Sequence, residues 1–123
     1  MKPSLTPYPP SVRRAALIIA ICLALLIAYF SLVPPGDTPL PRLSDKIRHF
    51  AAYAALAVPV AMWIGPGRWS AVALLTVFGA GIEVAQAYAP TGREGSLADG
   101  LADALGAAAG VFLVWLVART RRG

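Results

Sequence analysis

Residues 15–33 read AALIIAICLALLIAYFSLV, 19 positions without a charge. At 1.5 Å per residue a helix of that length covers about 28 Å, close to the thickness of a bilayer's hydrocarbon core. Arg13 and Arg14 stand just before the run, and Pro34-Pro35 follow it. A cleaved signal peptide is the competing reading. The run is long for the apolar part of a signal, and no clean small-x-small cleavage site precedes the prolines. A retained transmembrane helix is the expectation.

Three further apolar stretches extend the pattern. After the Pro-rich segment at 34–44, Ser44 is a candidate N-cap for a helix beginning at Asp45, with an apolar portion over 50–64. Pro59 should kink that helix and free a carbonyl near Ala55. The turn Gly65-Pro66-Gly67-Arg68 leads into a third run, and residues 90–95 (PTGREG) make the next loop. Ser96-Leu97-Ala98-Asp99 then matches a capping box ahead of a fourth run that ends before Arg119, Arg121 and Arg122. The expected fold is all-α: a bundle of four transmembrane helices, with spans at about 15–33, 46–64, 69–89 and 98–118. Residues 1–14, with Pro3, Pro7, Pro9 and Pro10, form a cytoplasmic tail, and residues 119–123 form a second, basic one. No internal repeat and no soluble domain is visible.

Composition agrees with this. The chain is 58% hydrophobic with a mean hydropathy of +0.66, and only 14% of its residues are charged. Those charges gather between the apolar runs instead of along helix faces, so nothing would clothe four apolar helices in a polar surface. The net charge of +5 raises the question of a nucleic-acid partner. The positive-inside rule is the better account, and no nucleic acid is expected. With both termini cytoplasmic, the inside holds seven basic residues (Lys2, Arg13, Arg14, Arg68, Arg119, Arg121, Arg122) and the outside four (Arg42, Lys46, Arg48, Arg93). Trp63, Trp69 and Trp115 would then lie near the inner interface, Tyr29 and Tyr88 near the outer one. The lone Cys22 has no partner in the chain for a disulfide and reads as packing.

The six carboxylates, Asp37, Asp45, Glu83, Glu94, Asp99 and Asp103, all fall in or near the two outer connections. In the second helix Asp45, Lys46, His49 and Tyr53 share about 100° of arc. Asp45 also suits a helix N-terminus, Lys46 could reach to headgroups, and Tyr53 could be packing. His49 is costly against lipid and should face the bundle interior. In the third helix Thr76, Gly79, Glu83 and Gln86 lie within roughly 80° of one another. Glu83 would sit about 9 Å below the outer end of its helix, where a carboxylate is paired, protonated or beside a wet cavity. A tie from Glu83 to His49 or Tyr53 is the structural alternative to a binding role. In the fourth helix Asp99, Asp103, Gly106 and Gly110 form a stripe about 60° wide. Gly106 and Gly110 make a G-x-x-x-G pair that lets another helix approach and also offers a surface for pairing two copies. Asp99 has a capping role to explain it; Asp103 has none. Arg93, in a short loop, could fold over the cluster and pair with Asp99 or an anionic ligand.

These residues, taken together, resemble the VanZ-like integral membrane proteins. That family's pattern reads D-K-x-x-H-x-x-x-Y at the head of one helix, E-x-x-Q near the end of the next, then P-x-R, then D-x-x-x-N-x-x-G. The corresponding residues are Asp45-Lys46-Ile47-Arg48-His49 with Tyr53, Glu83-Val84-Ala85-Gln86, Pro90 through Arg93, and Asp99 through Asp103 to Gly106. The resemblance covers about residues 43–112. Two departures stand out: an extra residue separates Pro90 from Arg93, and Asp103 occupies the place of an Asn. The resemblance implies a multi-pass protein of the bacterial cell membrane, in a family whose founding member is linked to resistance to the glycopeptide antibiotic teicoplanin. It implies no reaction.

The ligand-binding set expected from the residues and the resemblance is Asp45, Lys46, His49, Tyr53, Glu83, Gln86, Arg93, Asp99 and Asp103. Three functions compete. The first is a non-enzymatic envelope protein whose outward polar pocket binds a lipid-linked or glycopeptide-like ligand. The second is a membrane-embedded hydrolase or transferase on a lipid-linked substrate, with His49 or Glu83 as the catalytic base, Arg93 as an anion clamp and the acidic residues as candidate divalent-metal ligands. The third is a proton-coupled transporter with Glu83 titrating. No nucleophile elbow, P-loop or H-E-x-x-H is present, and His49 with Asp45 is a weak metal signal because a single His rarely makes a transition-metal site, so no metal site and no cofactor is assigned.

Overall fold

The computed structural model describes residues 8–33, 42–88 and 97–122, with side chains at 8–33, 46–88 and 97–120. These form four helices: α1 (Pro10–Leu32), α2 (Arg42–Ile64), α3 (Ser70–Tyr88) and α4 (Leu97–Arg122). All four are long and apolar enough to cross a membrane.

The helix starts differ from the sequence reading for simple reasons. Helix α1 opens at Pro10, a position where proline's fixed φ suits the helix and its missing N–H costs nothing. Arg13 and Arg14 therefore lie within α1, not ahead of it. Arg13 donates from Nε (3.1 Å) and Nη2 (2.7 Å) to the carbonyl of Trp63, in the last turn of α2. That carbonyl has no partner within its own helix, and a cation there complements the helix dipole. Helix α2 begins at Arg42, which places Ser44 in its first turn instead of at a cap, and the helix continues through Pro59 to Ile64.

Gly65 and Gly67, with φ of 129° and 77°, make the turn into α3. A Cβ at Gly67 would come within 2.9 Å of the Trp115 ring, so the turn is pressed onto α4. Neighbouring segments in the chain run in opposite directions, which makes α2 and α4 parallel to each other. They form the most extensive contact in the molecule. Gly106 rests on the backbone of Phe50, and a Cβ at Gly110 would lie 2.5 Å from the Ala54 carbonyl oxygen. The glycine stripe read as a surface for pairing two copies is thus occupied within the chain by α2. Ala57, Ala61, Ala107 and Val111 fill the seam and are fully buried. Small residues that bring helix backbones together are how helices hold to one another where lipid removes the hydrophobic driving force. Helix α1 packs on α2 and less on α3, while α3 packs chiefly on α4.

The outer surface carries large apolar side chains on every helix, among them Leu25 and Phe30 on α1, Ile47 on α2, Val77 on α3 and Leu105 on α4. In water such a surface would drive aggregation. It suits a chain whose four helices lie in lipid.

Candidate functional site

The polar residues converge at the end of the bundle where α1 and α3 finish and α2 and α4 begin. The parallel seam between α2 and α4 sets their register. With Gly106 beside Phe50 and Gly110 beside Ala54, the first turns of α4 must lie against the first turns of α2. Lys46 pairs there with Asp99. His49 donates from Nδ1 to Oδ1 of Asp103 at 2.8 Å, and its Nε2 lies 3.9 Å from Oδ2 of Asp99. The shorter contact holds the imidazole in one orientation, with Nε2 turned toward Asp99.

Both α4 carboxylates are deep: Asp103 is 2% exposed and Asp99 is 7% exposed. A buried charge in an apolar bundle is tolerated only with partners, and Lys46 and His49 supply them. Asp99 stands in the first turn of α4, as a capping box requires, yet its side chain is engaged by another helix. Ser96 lies outside the described residues.

Helix α3 contributes the opposite wall. At Gly79 a Cβ would sit 3.0 Å from Oδ2 of Asp103 and 3.4 Å from the Tyr53 hydroxyl, so this glycine makes room for both side chains. The Tyr53 ring is buried and packs on Phe78 with centroids 6.1 Å apart. One turn further along, Glu83 joins the group. Donor atoms of His49, Glu83 and Asp103 all lie within 4.8 Å of one another. These three come from three helices and are 34 and 20 positions apart in sequence, so no local spacing announces them as a metal-ligand set. Gln86, 6% exposed, donates from Nε2 to the Ser31 carbonyl at 2.7 Å and ties α3 to the end of α1.

A cleft of about 270 Å³ opens beside this cluster. Ile27, Phe30 and Ser31 of α1 line one side, Arg48, His49, Ala52 and Tyr53 of α2 the other, and Gln86 of α3 closes it. Matched against known protein-family models, curated proteins and solved structures, the chain finds no counterpart.

Of the expected ligand-binding set, Lys46, His49, Tyr53, Glu83, Gln86, Asp99 and Asp103 come together at this end of the bundle. The side chain of Asp45, although its backbone is in α2, and the whole of Arg93 lie outside the described residues. Arg48 is not singled out by the sequence pattern, because it sits one position off the arc shared by Lys46, His49 and Tyr53. Its exposed side chain nonetheless borders the cleft. The only signal for it is adjacency to His49. Ile27, Phe30 and Ser31 belong to a span that reads as uniformly apolar, and no pattern within that span distinguishes the cleft-facing positions.

Proposed function

We propose that this is a VanZ-like multi-pass protein of the bacterial cell envelope that holds the headgroup of a lipid-linked or glycopeptide-like amphiphile. Both termini are cytoplasmic and the polar pocket faces outward; the seven-to-four distribution of Lys and Arg supports that orientation. The family reading rests on the motif set from Asp45 to Gly106.

The observation that carries the binding reading is the two-sided cleft. Ile27 and Phe30 give it an apolar edge continuous with the exposed face of α1, and Arg48, His49, Tyr53 and Gln86 give it a polar one. A ligand with an acyl or polyprenyl chain and an anionic head satisfies both at once: the chain along α1, the head against Arg48. Mass spectrometry of lipids that co-purify with the wild type should reveal a bound amphiphile that Arg48→Ala depletes at least several-fold. Arg119→Ala, at the far end of the bundle, should retain it. Identical lipid profiles in all three proteins would end this reading.

One observation favours a second reading, a membrane-embedded hydrolase or transferase on a lipid-linked substrate. The imidazole of His49 borders the cleft and is oriented by Asp103, the arrangement a general base needs. In the same preparation, turnover of an added polyprenyl or phospholipid phosphate that His49→Gln abolishes would decide for catalysis. Retention without turnover would decide for binding.

A further inference from the structure

We infer that His49, Glu83 and Asp103 form a binding site for one divalent transition-metal ion, Zn²⁺ or Mn²⁺, in the interior of the bundle. The donors are a ring nitrogen of His49 on α2, a carboxylate oxygen of Glu83 on α3 and one of Asp103 on α4.

The geometry comes first. Ligand bonds of about 2.0–2.2 Å put donor atoms roughly 3–4.4 Å apart around a single ion. The three donor atoms here all lie within 4.8 Å of one another, so side-chain rotations that close the gaps by about 1 Å or less bring them to bonding distance. Gly79 leaves Asp103 the space for such a rotation, because a side chain there would press on Oδ2.

Charge is the second argument. Glu83 and Asp103 are two carboxylates side by side in an apolar bundle, and Asp103 is almost wholly buried. The two carboxylates offer oxygen ligands from two helices to one and the same cation. A divalent ion neutralises both at once, whatever other contacts each side chain makes.

The donor chemistry selects the ion. One imidazole with two carboxylates is too nitrogen-poor for copper and contains a ligand that Mg²⁺ and Ca²⁺ rarely take. Zn²⁺ and Mn²⁺ accept this mixture. Three protein donors leave at least one coordination position for water, and His49 borders the cleft through which that water would exchange.

This inference does not rest on what occupies the cleft. The test uses full-length protein without an affinity tag, purified in detergent, stripped with a chelator, then incubated with Zn²⁺ or Mn²⁺ and desalted. Elemental analysis should find about one equivalent of ion per chain in the wild type. Glu83→Gln and Asp103→Asn, which keep side-chain shape, should each lower the bound ion at least tenfold. Arg48→Ala, which borders the cleft but supplies no donor, should keep it even if it loses lipid. For Mn²⁺ bound to the wild type, pulsed electron paramagnetic resonance should show coupling to an imidazole nitrogen. Substoichiometric binding by the wild type, or absence of the nitrogen coupling, overturns the site without reference to any variant. Undiminished ion content in both carboxamide variants overturns it as well.

Discussion

Among single residues, Asp103 has the most demanding position. It is buried where an ionised group is costly, and its hydrogen bond from His49 is a direct tie between α2 and α4. Replacing it with Ala removes the acceptor and leaves the His49 N–H without its partner, a loss of about 1–3 kcal/mol by analogy with other buried donors. Asp103→Asn keeps an oxygen at the same place and should cost less. Thermal unfolding in detergent checks this order, which fails if Ala and Asn lower the midpoint equally. The sequence marked Asp103 as a group in need of a partner, but it offered Glu83 the imidazole of His49 just as readily. A helical arc says which residues share a face. It does not say how far the facing helix stands.

That distance belongs to the helices themselves. Gly106 and Gly110 allow α4 to rest on the backbone of α2, and the closeness of this contact delivers Asp99 to Lys46 and Asp103 to His49. A larger side chain at Gly110 meets both the Ala54 carbonyl and the Ala57 methyl, and no rotamer avoids a backbone atom. Gly110→Val should therefore prevent the pair from closing and sharply reduce the folded yield. Gly81 provides the contrast. It lies in α3, and a methyl group there would meet nothing within 4 Å, so the helix carries glycine's entropic cost without a packing reason. Gly81→Ala should stabilise by up to about 1 kcal/mol, read as a raised midpoint in the same melt. A destabilised Gly81→Ala would mean that this face of α3 is in close contact with something outside the chain.

Over the whole molecule, the distribution of apolar surface is the dominant fact. Among the described residues alanine supplies half of the buried apolar positions, while many leucines, isoleucines and phenylalanines face outward, the reverse of a water-soluble bundle. Cys22 tests what covers that surface. It is a free thiol on the exposed face of α1, near the middle of the helix. In native membranes it should resist a charged, membrane-impermeant maleimide and react once the protein is unfolded in detergent. Rapid labelling in intact membranes would show that water reaches the middle of α1.

The sequence by itself determined that the chain is helical, and it marked out four runs of spanning length. Length and hydropathy are local properties that need no knowledge of neighbours. It also placed Lys46, His49 and Tyr53 on one face of α2, and Asp99 and Asp103 on one face of α4, because helical periodicity is local too. The tertiary structure alone decided who meets whom: Asp99 with Lys46, Asp103 with His49, Gln86 with Ser31, and Arg48 at the mouth of a cleft shared with α1. Those pairings depend on the spacing and register between helices, which the contact of Gly106 and Gly110 with α2 sets and which no single helix records.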